Sequence, residues 1–139
     1  MNDRHHDLLR IRPELKKIKT FDTMGAEERF QNETLRPVLK LQNPLLIASF
    51  VNYATKHKNV FFELAAEKKL QYIENAICKD QKFRNALKGM LIGAFTVSEY
   101  REYCQNSSKL NKRMMNLVIT RLQDQLQLLV PSAALEKTA

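Results

Sequence analysis

The sequence predicts an all-α protein, a compact bundle of about six or seven helices joined by short loops. Three observations predict it. Glycine (3) and proline (4) are scarce in 139 residues, so turns are few, and few turns favour long helices over many short strands. Apolar residues recur at spacings of three and four along most of the chain, the period of one helix face. Start signals punctuate the second half, the clearest being the capping box Thr96-Val97-Ser98-Glu99. The length suits one domain, which can bury roughly two-thirds of its unfolded surface and hold a core without staples. The expected layout is an N-terminal helical arm and connector over residues 1–25, a core bundle over 26–130, and a frayed tail over 131–139.

Residues 2–19 read as a charged amphipathic helix, with Leu8, Leu9, Ile11, Leu15 and Ile18 at helical spacing. Pro13 removes an amide donor and crowds the preceding turn, which predicts a break near Arg12. His5 and His6 are adjacent, so they point to different faces and suit solvent better than a shared metal. After a connector at 20–25, a helix is expected from Ala26, with Glu27 and Glu28 at its positive end. Pro37 disfavours a straight path through Arg36. Asn43-Pro44 reads as a restart, asparagine as cap and proline at the first helical position. The following LLIASFVNYATKH is apolar on most sides, which predicts a central helix. Tyr53 within it needs a hydroxyl partner if buried. His57, near the end, complements the helix dipole.

Residues 59–65 are ambiguous, and helix or loop is preferred because no second strand is available for pairing. A helix over 67–79 carries the stripe Leu70, Ile73, Ala76 and Ile77. Asp80 caps the next helix, from Gln81 to about Ala94, which buries Phe83, Leu87, Met90 and Leu91. Gly89 and Gly93 lie four apart, a spacing that predicts close approach of another helix backbone. A short helix follows the capping box. Ser107 or Ser108 caps the last helix, which is expected to run to about Leu129 with the stripe Leu110, Met114, Val118, Leu122, Leu126 and Leu129, and Pro131 ends it.

Several function classes find no support in these residues. There is no apolar run long enough to span a membrane and no leader-like N-terminus, so a cytoplasmic protein without membrane or metal partners is expected. Cys78 and Cys104 form no C-x-x-C pair and are expected to be free, buried thiols. No motif supports a thiol–imidazole pair with His57. Neither the three histidines nor the scattered carboxylates have metal-ligand spacing, and no glycine-rich loop suits a nucleotide phosphate. No catalytic residue, cofactor or metal ligand is assigned, and the reading leans away from an enzyme.

Charge is the most informative feature. The net charge is +8. Between Gln81 and Arg121 the eight basic residues Lys82, Arg84, Lys88, Arg101, Lys109, Lys112, Arg113 and Arg121 face only Glu99 and Glu102. Such an excess attracts polyanions. Lys109, Lys112, Arg113 and Asn116 share one polar helix face opposite the Leu/Met stripe, and Lys82, Arg84 and Lys88 can flank them. These seven residues are the candidate nucleic-acid-binding set, gripping phosphates with help from Asn106 and Asn111. The two helices around Phe95-Thr96 match a helix-turn-helix only weakly.

The strings QNETLRPVLKLQNPLLIASFVNY, LQYIENAI, KFRNALKGMLIGAFT and LNKRMMNLVITRLQDQL together resemble a family of small uncharacterised all-helical bacterial proteins, over roughly residues 27–129. Some members carry the label glyoxalase, so the resemblance implies a glyoxalase-like metal enzyme as one alternative. Enzymes of that kind are built from paired βαβββ units with His and Glu ligands on strands, and neither the strands nor the ligands are predicted here. The function expected is therefore a binding or accessory module, engaging RNA or a ribonucleoprotein through the basic C-terminal face, or a protein partner. A homo-oligomeric scaffold is the alternative.

Overall fold

The structure, a computed structural model, describes residues 3–13 and 25–131. Among them are seven α-helices and no strand: α1 (Arg4–Ile11), α2 (Ala26–Phe30), α3 (Arg36–Lys56), α4 (Ala66–Lys79), α5 (Gln81–Ile92), α6 (Val97–Cys104) and α7 (Ser107–Gln123). A π-helical turn, Gln31–Leu35, joins α2 to α3, and 3-10 turns lie at Val60–Glu63 and Leu126–Leu128. The all-α expectation holds. The expected second half of the first helix, most of the 20–25 connector and the tail after Pro131 lie outside the described residues.

The chain divides into two compact units. One comprises Met1–Gln42 and Lys88–Leu117; the other comprises Asn43–Leu87 and Val118–Ala139.

In the first unit, α1 stops where Pro13 requires it: Arg12 is already extended, with ψ 128°. No residue of α1 is buried. Polar contacts tie this arm down instead. Arg4 donates to the carbonyl of Gly93 at 2.9 Å, and Arg12 donates to the carbonyl of Ala94 at 2.9 Å. The Arg12 guanidinium also grips both carboxylate oxygens of Glu99, at 2.6 and 2.8 Å. Glu99 is at the same time the third helical residue of α6. It accepts the amide of Thr96, while its own amide donates to the Thr96 hydroxyl, which completes the expected capping box. Phe30, Leu35, Leu91, Phe95 and Met114 are buried here, and Phe30 meets Phe95 edge-on.

Pro37 does not break the path of α2 into α3. A proline cannot donate to the carbonyl four residues back, and its ring crowds that carbonyl. The chain widens by one residue at this point: the Arg36 amide reaches back five positions to Gln31. The π turn thus absorbs the proline without ending the helix.

In the second unit, the restart predicted at Asn43-Pro44 is overturned. Pro44 sits inside α3. Asn43 caps nothing; its amide pairs reciprocally with that of Gln125, both bonds 2.8 Å. Phe50 is the aromatic centre, edge-on to Phe61 at 4.9 Å and to Tyr72 at 6.2 Å. Leu46, Ile73, Ile77, Leu87, Val118 and Leu122 are buried with them. Each such side chain contributes about 1.5–3 kcal/mol by leaving water. Within residues 59–65, Val60–Glu63 form a 3-10 turn, which fits the helix-or-loop expectation.

Two further expectations fail. Gly89 is exposed, and a side chain there would meet nothing within 4 Å. At Gly93 it would meet the Gly89 carbonyl of its own turn at 3.1 Å. The pair therefore marks no close helix crossing; both glycines are exposed. Cys78 and Cys104 are exposed, not buried. Each follows a buried residue, Ile77 and Tyr103, and the next helical position turns away from the packed side.

Candidate nucleic-acid interface

The seven predicted residues fall in both units. Lys88, Lys109, Lys112, Arg113 and Asn116 belong to the first, Lys82 and Arg84 to the second. On α7, Lys109, Lys112 and Asn116 are exposed and Arg113 is half-buried. The face is partly engaged internally. Lys109 and Arg113 both approach Glu27, at 3.5 and 3.8 Å, and Arg113 donates to the Gln31 side chain. Asn106 donates to Glu27 and holds that carboxyl below its ordinary 4.5; burial opposes this, and Lys109 and Arg113 reinforce it. Asn111 accepts from the Tyr103 hydroxyl. Of the three asparagines expected to reach phosphates, only Asn116 has no partner among the described residues.

The rest of the basic set is less compensated. Among the described residues, Lys82, Arg84, Lys88, Arg101, Lys112 and Arg121 have no carboxylate within ion-pair distance. Glu99, one of the two acids in their stretch, is turned inward. Burial pushes its carboxyl up, but the Arg12 guanidinium, the Thr96 amide and the Thr34 hydroxyl outweigh this and hold it below 4.5. Its charge is spent on Arg12 and does little to offset the surface lysines.

In the second unit, Lys82 belongs to a grouping that the sequence reading missed. A recess of about 250 Å³ lies between the last turns of α3 and the first half of α5. Lys56, His57 and Lys82 supply cationic or ionisable groups, and Asn52 supplies an amide. Its aromatic wall is Tyr53, stacked on Phe83 with centroids 4.1 Å apart and planes at 22°, and packed against His57 at 4.1 Å. No carboxylate lines it. The run Lys56-His57-Lys58 was visible in the sequence, but its convergence with Lys82 was not, because 26 positions separate Lys56 from Lys82.

Asp80 organises this wall from behind. It accepts the Phe83 amide at 3.2 Å, which caps α5 as expected, and the Tyr53 hydroxyl at 3.0 Å. These two bonds hold its carboxyl below 3.8. Burial, with Asp80 adding, pushes the Tyr53 phenol up to about 12. Tyr53 therefore stays protonated and keeps donating, and the ring is held in place. A second cavity of about 330 Å³ shares Tyr53 and includes Tyr72, Asn75, Lys79 and Asp80.

Among the described residues, no three His, Cys, Asp or Glu side chains converge as a metal site, and no helix is long and apolar enough to cross a membrane. No family model, curated protein or solved structure matches the chain.

Proposed function

We propose that the protein is a binding module that engages RNA, alone or within a ribonucleoprotein, through the cationic side chains of its C-terminal half. One observation carries this reading. Lys82, Arg84, Lys88, Arg101, Lys112 and Arg121 have no carboxylate partner among the described residues, while Glu99 is consumed by Arg12. Uncompensated cationic side chains, present in each unit, lower the free energy of any polyphosphate that approaches them, because each contact releases condensed counterions. Asn52 and Asn116, both exposed, add neutral donors of the kind that reach phosphate and sugar oxygens.

A mobility-shift series with total RNA, from about 50 to about 500 mM salt, tests it. Contact with about five phosphates of a single strand gives roughly a tenfold loss of affinity per doubling of salt. Absence of binding at the lowest salt refutes the reading. A protein partner is the second reading. It is favoured by Leu9 and Ile11, which are 46% and 54% exposed on α1, a helix with no buried residue. An apolar contact there would be nearly indifferent to the same salt series.

A further inference from the structure

We propose that the recess between α3 and α5 is a subsite for one unpaired nucleotide of a single-stranded RNA, the base lying against the aromatic wall and its phosphate between Lys56 and Lys82. This rests on the RNA reading above and adds to it a place and a strand preference.

Size comes first. At about 250 Å³ the recess falls below the roughly 300–1,000 Å³ of sites that house drug-sized ligands. It suits one base with its phosphate and is too small for two. The surfaces come next. His57 is exposed, Tyr53 half-buried and Phe83 buried. A base therefore meets the exposed imidazole, which Tyr53 and Phe83 back in turn. Stacking on such rings tolerates any base, because every base has a π face. Exposed Asn52 offers both a donor and an acceptor to a base edge.

Charge then sets the orientation. The two lysines of the recess have no carboxylate partner among the described residues. The nearby Asp80 is bound to the Phe83 amide and the Tyr53 hydroxyl. It lines the neighbouring cavity and not this one. That difference assigns the phosphate to the Lys56/Lys82 side. A paired helix keeps its bases stacked inside and cannot offer one to a ring, so the recess discriminates strand from duplex where charge alone does not.

The test uses the full chain, an oligouridylate single strand, and an RNA duplex of equal length at equal salt. The variant Ala86→Phe fills the recess from an exposed helix position without changing charge. Wild-type protein is expected to bind the strand at least about tenfold more tightly than the duplex. Ala86→Phe is expected to lose about tenfold on the strand and nothing on the duplex, with an unchanged melting temperature. Should that variant melt early, the pair Lys56→Gln and Lys82→Gln carries the test. It must weaken strand binding more than the pair Lys109→Gln and Lys112→Gln, which removes equal charge from α7. Equal affinity for strand and duplex, or strand binding untouched by filling the recess, overturns the subsite and leaves RNA binding standing. Failure to bind either RNA overturns both.

Discussion

Arg12 is the residue on which the N-terminal arm depends. Its side chain is 6% exposed and that of Glu99 16%, and its Nε has no partner. Burying a guanidinium is costly, and two bonds to one carboxylate plus one to the Ala94 carbonyl offset that cost. Arg12→Met leaves Glu99 with the Thr96 amide and the Thr34 hydroxyl, so the expected loss is about 2–3 kcal/mol, below the usual 3–5 for a broken buried pair. Thermal melting followed by circular dichroism should show a drop of roughly 8 °C. The pair also sets an acid limit. Glu99 has a folded pKa below its ordinary 4.5, so its contribution is complete above 4.5 and disappears as pH falls through the folded value. The melting temperature of the wild type should fall more steeply below pH 4.5 than that of Arg12→Met. Parallel slopes would show that Glu99 does not report on Arg12. Gly89 gives the opposite case. It is exposed inside α5 with nothing nearby, so Gly89→Ala should stabilise by about 1 kcal/mol, a rise of about 3 °C. A decrease would mean that the site faces something packed closely.

Two elements show how a helix accommodates proline differently. At Pro37 the π turn before it redistributes the hydrogen bonds. At Pro44 the helix simply continues, and the Lys40 carbonyl loses its i+4 donor. Pro44 is exposed, so water can reach this part of α3. Pro44→Ala restores the amide and should stabilise the protein by about 1–2 kcal/mol, less than the full cost of an interior proline because the unfolded chain gains freedom. A lower melting temperature in that variant would show that the ring itself packs usefully. α6 depends on its cap. Thr96 is 2% exposed, and Thr96→Ala removes the oxygen that receives the Glu99 amide, at an expected cost of about 1 kcal/mol. The loss should exceed this if Glu99 then tilts away from Arg12.

Across the whole molecule the governing quantity is charge. The chain carries +8; Arg10 pairs with Asp7, Arg12 with Glu99, and Lys109 and Arg113 with Glu27, whereas Lys82, Arg84, Lys88, Arg101, Lys112 and Arg121 have no carboxylate partner among the described residues. Lys112→Gln removes from α7 an exposed charge that has no carboxylate partner among the described residues. It should weaken RNA binding to a similar degree for all sequences and lower the salt slope by about 1. Lys109→Gln should do less, because Lys109 already shares Glu27. Equal effects of the two would mean that Glu27 does not compete with RNA for Lys109.

The local chemistry of the chain fixed its class without help from tertiary contacts. Helical period, scarce glycine and the Thr96–Glu99 box act over a few residues, so α4, α5, α6 and the start of α7 could be placed from residue order alone. The end of α7 could not: the stripe ran on to Leu126 and Leu129, but the helix stops at Gln123 and Leu126–Leu128 turn as a separate 3-10 segment. The stop at Arg12 followed equally from the ring of Pro13. What residue order could not decide was which local signal would be overruled or which distant side chains would meet. Asn43-Pro44 has every mark of a helix start, yet packing of Leu46 and Phe50 and the amide pair with Gln125 hold α3 continuous. Arg12 met Glu99, and Lys56 came to line one recess with Lys82, only through folding, because juxtapositions across tens of residues depend on how helices dock and not on their own sequence.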